Sequence, residues 1–138
     1  MTIRISANRK VRAKTFVDAF ADKSLKKASK AYRWAQIFLF TDVIVNSPVD
    51  TGRFRANWFP SIGSSSDATT SSTKRLSASI VRKEVMAAGM FSHMTITNNL
   101  PYSIALEYGH SKQAPNGMAR KALKRSKKHI NNAVSKVK

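Results

Sequence analysis

Three histidines, His93, His110 and His129, seven carboxylates and a surplus of serines are the side chains on which acid-base, metal or nucleophilic chemistry could rest. Their spacing argues against all three. The histidines are far apart and none has a ligand-type neighbour at the short intervals of a metal site. No serine sits in a glycine-flanked nucleophile turn, and no glycine-rich loop is arranged to cradle phosphate. Two-metal chemistry requires several close carboxylates, whereas the acids here are scattered. Asp50 and Glu107 are the most distinctive of them, each beside a turn with glycine or aromatic residues. Pairing with Arg53 or Arg120 is a simpler expectation for them than acid-base catalysis. The chain reads as a non-enzyme, with no cofactor and no metal.

Charge is the other chemical resource. There are 25 basic and 7 acidic residues, for a net charge of +18, which favours polyanions or acidic protein faces as partners. The excess peaks at the C-terminal end, where Arg120, Lys121, Lys124, Arg125, Lys127 and Lys128 populate one helical pattern. Such a helix can meet phosphates, an acidic protein or an anionic membrane, or simply be a solvated face. With no cysteine, neither a zinc finger nor a disulfide framework is available. The longest apolar run, IFLF, is far too short for a membrane span, and no signal-peptide core follows the charged start. A soluble protein made in the cytoplasm, with no membrane partner, is expected.

The elements that must position these residues fit one domain of 138 residues. Thr2 to Ser6 reads as a short strand or as part of a flexible arm covering about 1–13. Lys14 to Asn46 is helix-compatible, with Phe16, Val17 and Phe20 as one apolar group. Leu25, Ala28, Tyr32, Ala35, Leu39 and Val43 form a second. Asp22 or Ser24 could cap a new helix, leaving one bent helix or a short-plus-long pair. From Trp34 to Val45 the pattern is apolar nearly all round, which predicts neighbours on more than one side: a sheet and another helix, or a second subunit. Pro48 should end the helix.

Downstream, Phe54, Ala56 and Trp58 alternate with polar residues and predict a strand, with Trp58 expected in the core rather than as a base-stacking platform. Residues 61–73, rich in serine and threonine, read as a mobile loop, either plainly solvated or ordered on assembly. Leu76 to Gly89 fits a helix, with a strand conceivable at its start, and Met90 to Thr97 fits a strand. Asn98 and Asn99 form a turn, and Pro101 to Tyr108 is a short helix or a competing strand. A last helix is predicted over Asn116 to Val137, with Asn116 as its cap. The fold class is α+β, a small antiparallel sheet packed against a long N-terminal helix and a basic C-terminal helix.

Two blocks, SPVDTGRFRANW (Ser47 to Trp58) and ITNNLPYSIALEYGHSKQAPNGMAR (Ile96 to Arg120), together resemble the tail-component or tail-completion family of long-tailed bacteriophages. Pro48, Asp50, Thr51, Gly52, Arg53 and Trp58 match the first signature. Asn98, Asn99, Pro101, Tyr102, Glu107, Tyr108, Gly109, Gln113, Ala114, Pro115, Gly117 and Met118 match the second. Phe54 stands where a smaller aliphatic residue is common. The resemblance implies a structural protein of the virion neck or tail, a minor tail protein of the head-tail junction. It implies a ring of identical copies that meets the head-tail connector, tail terminator or tail tube proteins, with non-specific contact to genomic DNA. The alternative reading is a non-catalytic, basic nucleic-acid-binding protein. On the neck reading, replacing Glu107 or Tyr108 is expected to leave the protomer folded and to block attachment.

Overall fold

In the computed structural model the backbone is described for residues 2–74 and 78–138, and side chains for 18–74 and 78–138. The side chains of Phe16 and Val17, and the start expected for a helix at Leu76, lie outside the described residues. A single helix, α1 (Thr2–Val45), dominates. At 1.5 Å per residue it is about 65 Å long, and it occupies the stretch weighed as an N-terminal strand and the stretch weighed as a helix break. Neither Asp22 nor Ser24 starts a new helix. Instead, Asp22 pairs with Lys26 one turn on, at 2.8 Å.

Every described residue of α1 before Ser29 is exposed. Burial begins at Ser29 and then follows Trp34, Ile37, Phe40 and Ile44, a three- to four-residue spacing that presents one stripe to the core. The expectation of neighbours on several sides of this half is met. α3 (Ala78–Ala87), α5 (Ala119–Lys124) and α6 (Ser126–Lys136) all pack against α1. Arg82 from α3 and Lys136 from α6 both stack over the Trp34 ring, at 5.0 and 4.6 Å from its centroid. The helix ends where proline predicts, and the Ser47 hydroxyl donates back to the Val43 carbonyl at 2.8 Å.

The alternating segment after Pro48 is not a strand. It forms α2 (Arg53–Ala56), entered through Gly52 at φ 94°, and only then β1 (Phe59–Ile62). Phe54, Asn57 and Trp58 also satisfy helical i, i+3, i+4 spacing, and the backbone follows that period: the Asn57 side chain donates to the Arg53 carbonyl at 2.7 Å and the Ala56 N–H to the Gly52 carbonyl at 3.1 Å. Phe54 and Trp58 meet edge to face at 5.8 Å. Trp58 is a core residue whose indole N–H donates to the Ser47 hydroxyl at 2.9 Å.

β1 pairs antiparallel with β2 (Met94–Thr97), Phe59 facing Thr97 and Ile62 facing Met94. Ser61 and Ile62 therefore belong to the sheet, and the polar loop starts after them. The strand expected from Met90 is shorter than its pattern, because Ser92 turns back onto the Gly89 carbonyl and Phe91 takes φ 52°. Together these elements make the expected α+β arrangement, a two-stranded antiparallel sheet packed with a long N-terminal helix and a basic C-terminal helix. Val81 and Val85 of α3, Met94, Leu100, Met118 and Ala133 close the core over α1.

Candidate functional site

The second sequence block folds into a corner built around Glu107, the last residue of α4 (Ser103–Glu107). Its carboxylate accepts the backbone N–H groups of Met118, Ala119 and Arg120, each at 2.9 Å. These are the donors that open α5, and α5 has no side-chain cap of its own. Asn116, the expected cap, is exposed and does not fill that role. The cap comes instead from another element, and its negative charge sits at the positive end of the helix. The Arg120 guanidinium completes the clasp through Nε at 3.2 Å from the carboxylate and through Nη2 on the Glu107 carbonyl. Pairing of Glu107 with Arg120 is thus present, joined by the three backbone bonds.

Burial pushes the Glu107 carboxyl up. The N–H groups of Arg120, Ala119 and Met118 and the Arg120 side chain together outweigh it, and the group titrates below the usual glutamate range. Arg120 also lies over the Tyr108 ring, 4.8 Å from its centroid. The approach is so close that a Cβ on Gly117, which holds φ 75°, would come within 2.5 Å of both the carboxylate and the carbonyl of Glu107.

This corner is stitched to the first block. The Gln113 side chain accepts the Val49 N–H and donates to the Val49 carbonyl, both at 2.8 Å, so one amide imitates a strand partner for the turn before α2. Asn98 donates to the Phe54 carbonyl at 3.0 Å, and the rings of Phe54 and Tyr102 lie 6.0 Å apart. Between the two blocks is an open cavity of about 270 Å³ lined by Pro48, Gly52, Phe54, Tyr102, Leu106 and Gln113. On its rim Asp50 and Thr51 are exposed. Asp50 has no ion pair among the described residues, because the Arg53 guanidinium turns instead to the Thr70 carbonyl at 3.4 Å. Beyond the cavity, Tyr102, Ile104 and Tyr108 point outward, 42, 72 and 67% exposed. Pro101 and Pro115 are exposed as well, whereas Met118 and Ala114 are buried.

Asn57 and Asn99 are the anchors of the serine-rich loop. Asn57, fully buried, donates to the carbonyls of Arg53 and Thr70 and accepts the Thr70 N–H at 2.8 Å. Asn99 donates to the carbonyls of Ser66 and Ala68 at 2.7 and 3.0 Å. Gly52 faces the same loop, with space for no side chain beside the Thr73 carbonyl. Asn57 lies inside the first block, but nothing in the local pattern distinguishes it from a polar strand residue.

The six basic residues of the C-terminal pattern separate into two groups. Arg120 is held by Glu107. Arg125 bonds Asp42 of α1 at 2.8 Å, and His129 meets the other oxygen of the same carboxylate at 2.8 Å. Lys121, Lys124, Lys127 and Lys128 are exposed and have no ion pair among the described residues. The expected single helix is also two, α5 and α6, joined at Arg125. The Asp42 cluster was invisible to a local reading because its partners are 83 and 87 residues away.

Among the described residues there is no group of three or more His, Cys, Asp or Glu placed to hold a metal ion, and no helix is long and apolar enough to cross a membrane. No family model, no curated protein and no solved structure matches the chain.

Proposed function

We propose that this chain is a structural protein of a bacteriophage neck or tail. It joins or completes the tail at the head-tail connector through contacts among copies of itself in a ring and with connector, tail terminator or tail tube proteins. The observation that supports this reading is the bidentate pairing of Gln113 with Val49, which unites in one corner the two blocks that carry the family resemblance. Ala114, Gly117 and Met118 build that corner from within, while Tyr102 and Tyr108 remain on its outer surface. A rigid corner with outward aromatic side chains suits a docking element, since such side chains offer large contact area at low entropic cost. Closed symmetry would multiply a weak contact around the ring. Cryo-electron microscopy of complete particles tests the reading: the chain should occupy density at the neck or tail in a fixed number of copies. Particles made without it should separate into filled heads and unattached tails. Its absence from particles would overturn the proposal.

The four unpaired lysines, Lys121, Lys124, Lys127 and Lys128, favour the second reading, a basic nucleic-acid-binding protein. That reading requires a tight complex with duplex DNA in the absence of virion proteins, weakening steeply with salt. Non-specific contact with genomic DNA in the neck is compatible with the first reading.

A further inference from the structure

Outside the corner, an uncovered apolar seam lies along the helices. Leu25, Tyr32 and Leu39 repeat every seven residues on α1, with Ala28 and Ala35 between them, which is the seam spacing of a helix that packs against another helix. Two apolar cavities follow this seam where α6 crosses it. One, of about 210 Å³, is lined by Tyr32, Ala35, Leu39 and Ile130, and the other, of about 250 Å³, by Ala28, Ala31, Val134 and Val137. Leu25, Ile130 and Val134 are 53, 53 and 46% exposed, so α6 covers the seam only in part. On the Tyr32 side stands Phe91, its ring 5.8 Å from that of Tyr32. Phe91 is half exposed and held at φ 52°, a conformation that costs a bulky residue energy and is retained where the surroundings impose it.

We propose that this groove seats an acidic amphipathic helix of a partner protein. Its shape supports a helix, because the alanines at 28, 31 and 35 let a second backbone approach closely beside larger side chains. Its charge supports an acidic one. Lys27 and Lys138 line the second cavity, and α5 and α6 contain no carboxylate. Asp42, which faces α6, is already ion-paired with Arg125 and hydrogen-bonded to His129. A second copy meeting this face with its own would set Lys27 and Lys138 against the same lysines, so charge complementarity at the groove selects a different chain. The inference stands independently of the neck assignment.

The test uses the full chain and a fluorescein-labelled 18-residue helical peptide with leucine along one face and glutamate on the others. A control peptide has the same leucines with lysine in place of glutamate. Fluorescence anisotropy should show saturable binding of the acidic peptide only. Ile130→Glu and Val134→Glu, both at exposed positions and checked by circular dichroism, should each weaken it at least tenfold. Lys27→Glu should weaken it and reduce its salt dependence. No binding of the acidic peptide, equal binding of the basic one, or indifference to Ile130→Glu in a folded variant would each overturn the proposal. So would a concentration-dependent dimer in sedimentation that Ile130→Glu abolishes, since a second copy would then own the groove.

Discussion

A Cβ placed on Gly117 would lie 2.5 Å from Oε1 of Glu107, so the turn before α5 closes directly onto the carboxylate that caps that helix. Gly117→Ala must therefore move the clasp as well as adopt a positive φ. We expect a loss of more than about 1 kcal/mol, read from the midpoint and slope of urea unfolding. An unchanged midpoint would mean that the clasp is not formed in solution.

Glu107 makes stability depend on pH in a defined direction. Its folded-state pKa lies below the ordinary glutamate range, so its contribution is present above the unfolded-state pKa and disappears as pH falls through the folded-state value. Glu107→Gln should cost roughly 1 kcal/mol at neutral pH, as loss of a helix cap does. The difference in thermal midpoint between the two proteins should shrink on acidification below that range. The cap adds three backbone bonds to the pairing with Arg120 expected for Glu107.

Tyr108 is the residue that separates docking from folding. Its ring is 67% exposed and touches Arg120, so Tyr108→Ala should alter stability by no more than about 0.5 kcal/mol. On the neck reading, the same variant should fail to restore tail attachment in a complementation assay. Attachment at the level of the unmodified protein would remove Tyr108 from the interface.

Asp42 binds α1 to α6 through two partners. Its side chain is 13% exposed and both contacts are 2.8 Å, so Asp42→Ala strands a guanidinium and an imidazole at once. A loss of about 2–3 kcal/mol is expected. A double-mutant cycle with Arg125→Ala should show coupling of roughly 1 kcal/mol or more.

Asn57 holds the serine-rich loop. Asn57→Ala removes three hydrogen bonds from a fully buried position, and leaves the Thr70 N–H without its acceptor. Limited proteolysis should cut the variant between Gly63 and Thr73 much faster than the unmodified protein, at a protease concentration that spares both cores.

Much of the fold was legible where local rules coincide with packing. Pro48 ends α1, the apolar ring from Trp34 to Val45 announces several neighbours, and the polar-apolar alternation at Met94 to Thr97 is a strand. The local rules failed where two periods fit the same residues. Phe54, Ala56 and Trp58 alternate, yet Phe54, Asn57 and Trp58 also have helical spacing, and both sets are buried, so apolar pattern alone does not choose between them. Asn116 has the chemistry of a cap, but a carboxylate from α4 reaches the helix start first. At the corner, the pairing of Glu107 with Arg120 could be anticipated from charge, since few acids compete for it. Gln113 with Val49, and Asp42 with Arg125 and His129, could not be, because nothing in a single chain's spacing registers contacts made across 64 to 87 residues.

The bonds that fasten the serine-rich loop have a particular grammar. Asn57 and Asn99 grip it by the main-chain atoms of Ser66, Ala68 and Thr70, which every residue but proline would present equally well. To these the loop adds short-range bonds of its own, the hydroxyls of Ser66, Thr70 and Ser72 accepting the N–H groups of Ala68, Ser72 and Lys74. Its spelling therefore matters at three hydroxyls, while its course past Asn57 and Asn99 is read from the main chain alone.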